Sequence, residues 1–140
     1  MDTPDYRALI TAARKVRLNA YVPYSNFAVG AVVMTRTGRM FPGCNIENAA
    51  YPASVCAERV ALLSAYAAGE QDIAVLAVVA DTAGPVSPCG VCRQVVLELA
   101  PRCVVVLANL GEELQITTPA ELLPSGFTGD ILRETWDRSQ

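Results

Sequence analysis

The apolar positions along the chain follow two different periods, and the order in which they alternate predicts a layered α/β domain. From Asp5 to about Asn19, Leu9, Ala13, Val16 and Ala20 fall on one helical face while Arg7, Arg14 and Lys15 point away. Thr3-Pro4 ahead of them reads as a cap followed by proline at the first helical position. Tyr21-Val22-Pro23-Tyr24-Ser25 breaks that pattern. Phe27 to Met34 is then β-rich, Thr37-Gly38 turns, and Arg39 to Ile46 returns, which makes a hairpin. Pro42 cannot donate to a ladder, so the returning strand belongs at an edge. Asn45 to Val55 reads as a loop that delivers Ser54 as a candidate cap for a helix from about Cys56 to Ala68, stopped by Gly69. Ile73 to Ala80 is continuously apolar, as a strand buried on both faces requires. Ser87-Pro88 repeats the cap-plus-proline signature and opens a helix to about Ala100, ended by Pro101. Cys103 to Ala108 is a second buried strand, and Leu114 to Thr117 pairs back antiparallel. Thr118-Pro119-Ala120-Glu121 resembles a capping box. Strands alternating with helices behind a leading hairpin predict an α/β sheet flanked by helices.

Composition narrows what such a domain does. The chain has 140 residues, enough for one domain with a full core, and its 18% charged content argues against disorder. No apolar run reaches the roughly 18 residues of a membrane span. Met1-Asp2-Thr3-Pro4-Asp5 is acidic and polar, unlike a secretory signal. The expected location is therefore the cytoplasm, where clustered cysteines mean metal or catalysis more often than disulfides. A net charge of −3 with no basic run argues against a nucleic-acid partner and for a small-molecule substrate. The absence of histidine removes the commonest metal ligand and general base, leaving sulfur or carboxylate to hold any zinc ion and a carboxylate or bound water to move protons. Beyond Arg59 the helix to Ala68 is nearly all apolar, and an all-round apolar helix in so small a domain predicts a homo-oligomer.

The chemistry concentrates in Cys56-Ala57-Glu58-Arg59 and Pro88-Cys89-Gly90-Val91-Cys92-Arg93-Gln94. Three thiolates at helix starts, Cys56, Cys89 and Cys92, suit one zinc ion with water as the fourth ligand, and Glu58 stands ready to move that water's protons. Three thiolates also leave such a centre anionic. Arg59 and Arg93, each within a turn of a ligand, are the candidate donors to sulfur, and Arg59 is favoured because little else explains a charge on so apolar a helix. Three other readings stay open: a Cys-x-x-Cys redox pair, a closed four-cysteine zinc site recruiting Cys44 or Cys103, and cysteines that are only small buried hydrophobes.

Four ordered motifs carry a resemblance. Val22-Pro23-Tyr24-Ser25-x-Phe27, Gly43-Cys44-Asn45-Ile46-Glu47-Asn48 and the two cysteine stretches together resemble the short, homotetrameric, three-cysteine cytidine deaminases, from about Tyr21 to Phe127. The resemblance implies a three-layer α/β/α fold with a five-stranded mixed sheet in the order 2-1-3-4-5. It implies one zinc per subunit on Cys56, Cys89 and Cys92, and zinc-activated water attacking C4 of cytidine or deoxycytidine with Glu58 as proton shuttle. It further implies that Asn45 and Glu47 contact ribose hydroxyls, that Phe27 packs on the base, and that the Ala57 N–H meets the base carbonyl. Phe127 is implied to cover the site of a neighbouring subunit. The same motifs also resemble deaminases of other heterocycles, such as blasticidin-type antibiotics. Residues 1–127 would be the deaminase domain, with 128–140 an unmatched extension whose Ile131, Leu132, Thr135 and Trp136 form a small apolar face.

Overall fold

Within residues 5–139, which the computed structural model describes, helix α1 (Tyr6–Arg17) precedes strands β1 (Val29–Thr35) and β2 (Met40–Cys44). A 3₁₀ turn at Tyr51–Ala53 leads into helix α2 (Ala57–Ala67) and strand β3 (Ile73–Ala80). Helix α3 (Gly90–Leu99), strands β4 (Val104–Ala108) and β5 (Leu114–Thr117), and helices α4 (Pro119–Leu122) and α5 (Gly129–Ser139) complete the chain. The sheet order is β2-β1-β3-β4-β5, with β3 and β4 parallel and every other pair antiparallel. This is the mixed sheet expected, with Pro42 on the edge strand.

Strand periodicity divides the core in two. Leu76 and Val78 of β3 face α2 and α3, meeting Ala61, Leu62, Ala65 and Val96. Val75, Ala77 and Val79 face the other way, onto Leu9 and Ala13 of α1. The central strand is thus covered on both sides, which is why its sequence does not alternate. Helices α2 and α3 lie on the same face of the sheet, so both of their N-termini are available to one site.

Two caps differ from expectation. The N-cap of α2 is Cys56, not Ser54, and the N-cap of α3 is Cys89, not Ser87. Ser54 instead accepts a hydrogen bond from the Asn48 N–H at 3.0 Å, and the Ser87 hydroxyl accepts one from Arg93 at 2.6 Å. Both serines brace the loops, and the cysteines take the cap positions with extended backbone that projects sulfur over the helix end. Where no metal centre competes for the position, the rule holds: Thr118 accepts from the Glu121 N–H at 3.2 Å. The Thr3-Pro4 cap lies outside the described residues, and the N-cap of α1 is Asp5, which accepts from the Arg7 N–H. Gly69, at φ +82°, stops α2 as expected.

The expectation of α2 as a helix buried all round meets a single chain that covers one face only. Ala57, Ala61, Leu62 and Ala65 are buried, while Leu63 stays 50% exposed. The α5 segment is helical with no buried residue, and its Trp136 is 65% exposed.

Helix α2 is seated on β2 through Gly43. A Cβ there would stand 2.4 Å from the Ala61 backbone nitrogen and 2.7 Å from the Ala57 carbonyl oxygen. Backbone cannot swing aside as a side chain would, so Gly43→Ala must lift α2. Chemical denaturation should read a destabilisation of about 2 kcal/mol, in the range for overpacked cores, and the lift should displace Cys56 and weaken zinc retention with it.

Candidate metal centre and adjoining cavity

Cys56 and Cys89 reach the centre from two helix N-termini, and Cys92 reaches it from one turn inside α3. Their three sulfurs all lie within 4.8 Å of one another, with Cys56 and Cys89 3.8 Å apart. A tetrahedral zinc with bonds of about 2.3 Å would separate its sulfurs by about 3.8 Å, so the donor set fits the ion. No fourth cysteine, histidine or carboxylate joins the cluster among the described residues. Cys44 lies buried near the end of β2, and Cys103 belongs to the apolar core under α2 and α3. Burial pushes the Cys103 thiol up to about 12, which suits an inert core residue. The open fourth position is the pattern of a catalytic rather than a structural zinc site.

Among the protein groups alone, the cluster divides its charge unevenly. Hydrogen bonding from Cys92 lowers the Cys56 thiol to about 5, and Arg59 adds to this against the effect of burial. The same bond to Cys56 pushes Cys92 far up. Arg59 is placed to donate to sulfur: its Nη2 lies 3.7 Å from the Cys56 sulfur and 3.4 Å from the Ser54 carbonyl oxygen. Its Nε is buried without a partner, so sulfur and the Ser54 carbonyl are what hold the guanidinium. Arg93 takes another part, donating to the carbonyls of Pro88 at 2.8 Å and Leu122 at 2.9 Å rather than to sulfur. It ties the ligand loop to the end of α4.

Glu58 is only 5% exposed. Burial pushes its carboxyl up and the Cys56 thiolate adds to the effect, outweighing its own main-chain N–H. A carboxyl so placed is easily protonated, which a proton carrier needs.

A cavity of about 200 Å³ opens in front of the cluster, lined by Phe27, Asn45, Ala57, Glu58, Cys56 and Cys89 together with Val29, Val78, Ala80, Val86 and Ser87. Six residues singled out from the sequence therefore meet there, and Cys92 lies buried behind them. Glu47 lines a second cavity of about 350 Å³ with Tyr24, Ser25, Tyr51 and Ser54. Main-chain bonds explain the grouping. Glu47 donates to the Tyr21 carbonyl at 2.8 Å, and Ile46 exchanges bonds with Val55, one residue before Cys56. Asn45 and Glu47 are thereby pinned beside the metal ligands. Hydrogen bonds from the Ser25 hydroxyl and the Ser25 and Tyr24 N–H groups hold the Glu47 carboxyl below the usual range.

Phe127 lies elsewhere. It is 54% exposed and lines a groove with Leu97 and Arg133, its carbonyl accepting from Gln94 at 2.7 Å. The apolar wall of Val29, Val78, Ala80 and Val86 went unassigned in the sequence, although the C-terminal end of a central strand is where α/β sheets place ligands.

Arg59→Ala should lower zinc affinity by about 10- to 100-fold, the cost typical of losing a partner of a ligand. Competition against a chromophoric chelator measures it, and Arg59→Lys should recover only part of the loss because one ammonium cannot bridge sulfur and carbonyl as the fork does.

Comparison with known proteins places this geometry. Residues 4–108 match the family model described as the cytidine and deoxycytidylate deaminase zinc-binding region. A cytidine deaminase of Halalkalibacterium halodurans is 48% identical over 131 residues, covering 93% of this chain and 99% of the relative. One from Sporosarcina psychrophila is 48% identical over 91% of this chain and 95% of its own length. The crystal structure of cytidine deaminase from Burkholderia pseudomallei superposes with a TM-score of 0.86 at 50% identity, over 89% of this chain and all of that one.

Proposed function

The chain belongs to the cytidine and deoxycytidylate deaminase family, and we propose that it converts cytidine and deoxycytidine to uridine and deoxyuridine with release of ammonia. The observation that carries this reading is the meeting of Glu58, Phe27 and Asn45 in one cavity with three sulfurs spaced for a single zinc. Zinc held by Cys56, Cys89 and Cys92 supplies a Lewis acid that lowers the pKa of water toward neutrality.

The chain's own groups do the rest. The base enters against Phe27, with the Ala57 N–H directed at its carbonyl oxygen. Glu58 takes a proton from water and delivers it to N3 as C4 is attacked. It then carries the second proton to the departing amino group, so that one water and one cytidine leave as uridine and ammonia. Its raised affinity for a proton suits both halves of that shuttle. Asn45 and Glu47 offer donors and acceptors suited to a ribose diol, which favours a nucleoside over a heterocycle without a sugar.

The working form is a homotetramer, supported by exposed Leu63 on the apolar helix and by exposed Phe127, which has no place in its own chain's cavity and is free to reach a neighbour's. Residues 1–127 are the catalytic domain and 128–140 an extension that carries the helix Gly129–Ser139. Pyrimidine salvage in the cytoplasm is the setting that suits this reaction, without nucleic-acid or membrane partners. No helix among the described residues is long and apolar enough to cross a membrane.

Glu58→Gln, still zinc-loaded and tetrameric by light scattering, should lose about a thousandfold in kcat on cytidine, the scale of a lost general acid–base. Loss of the 280 nm absorbance of cytidine follows the reaction. Full activity in the variant would remove Glu58 from proton transfer, and an inert wild-type protein would remove cytidine as substrate.

A further inference from the structure

Between the base-binding and ribose-binding residues lies the turn Tyr24–Phe27, whose Asn26 adopts φ +59°, a left-handed conformation that asparagine enters more readily than other non-glycine residues. Ser25 braces the turn. Its hydroxyl accepts a hydrogen bond from the Phe27 N–H at 3.0 Å and donates to Oε2 of Glu47. Oε1 of the same carboxylate accepts from the N–H groups of Tyr24 at 3.0 Å and Ser25 at 3.1 Å. The other side of Phe27 is fixed by Asn45, which donates to the Phe27 carbonyl at 2.8 Å and accepts from the Val29 N–H at 2.9 Å.

Donor counting gives this arrangement a consequence. An ionised carboxylate offers about four lone-pair sites, and three on Glu47 are taken by the turn. One site on Oε2 is left. Glu47 therefore accepts a single substrate hydroxyl in a fixed direction, and the Ser25 proton decides which lone pair faces the cavity. Because the Phe27 N–H occupies the Ser25 oxygen, its proton has Glu47 as its acceptor, and the relay runs one way only, from base side to ribose side.

We propose that Ser25 is a positioning residue that sets substrate specificity, its hydroxyl locking the Glu47 carboxylate and the Phe27 main chain in one relation so that ribose and base are read together. This rests on the assignment of Glu47 to a ribose hydroxyl made above. Ser25 does not touch the metal ligands or Glu58 in this arrangement, so its loss should be felt in binding rather than in proton transfer. Exposure of the site to solvent leaves room for a methyl group, so threonine should preserve the relay.

The test compares cytidine with 2′,3′-dideoxycytidine in the wild type, Ser25→Ala, Ser25→Thr and Glu47→Gln. In Ser25→Ala, KM for cytidine should rise about tenfold, as expected for one hydrogen bond to a charged group. Its kcat should stay within about threefold, KM for the dideoxynucleoside should barely move because Asn45 still holds the Phe27 main chain, and Ser25→Thr should restore most of the difference. Zinc content and thermal midpoint near wild type would accompany that result. If Ser25→Ala raises both KM values alike, or lowers kcat instead, the serine only supports the fold and the proposal is wrong. If Glu47→Gln loses discrimination for the hydroxyls while Ser25→Ala keeps it, the ribose assignment stands and the relay falls. If neither the wild type nor Glu47→Gln discriminates, the ribose assignment itself fails and takes the relay with it.

Discussion

Three thiolates within 4.8 Å of one another cannot all carry charge unless a cation sits between them, and the rest of the molecule is arranged around that constraint. The protein groups alone leave one low and one high thiol, Cys56 and Cys92, which is how a crowded set relieves like-charge repulsion. A divalent ion removes the conflict and fixes all three sulfurs at once. Two helix N-termini contribute partial positive charge from the same side, and the Arg59 guanidinium takes part of the excess negative charge at the sulfur of Cys56. What remains is a centre less anionic than its ligand count implies, better able to acidify water.

The fold serves this by bringing chain segments together at one end of the sheet. The parallel pair β3–β4 requires a crossover, and α3 is that crossover, so its N-terminus falls at the C-terminal end of β3. Helix α2 comes alongside because Gly43 lets its backbone approach β2 without a side chain between them. The strand that carries Gly43 runs on into Asn45 and Glu47, so the contact that seats the metal helix also places the two residues proposed to read the sugar. Packing and substrate recognition thus share one short stretch of chain.

Most of the fold was legible because burial follows period. Ile73–Ala80 and Leu114–Thr117 have the boundaries read from the sequence, the first as a continuous apolar run and the second as a short segment bracketed by turn chemistry. The helix starts were less legible. Ser54 and Ser87 have good cap chemistry, and only the three-dimensional centre explains why cysteines displaced them. The metal ligands could be read from spacing and from the lack of histidine. Asn45 and Glu47 could not, because an Asn and a Glu in a loop are ordinary until Tyr21 and Val55 are seen to pin them. Ser25 was visible only as a letter in a motif. Its work depends on a carboxylate 22 residues away, which has no local signal.

The central claim is a zinc ion held by three sulfurs with its fourth position left open for chemistry. Zinc K-edge X-ray absorption on the purified protein addresses it directly. A shell of three sulfurs at about 2.3 Å with one oxygen or nitrogen neighbour at about 2.0–2.1 Å is the expected result. A shell of four sulfurs would mean a closed structural site, and with it the loss of the catalytic role assigned to Glu58.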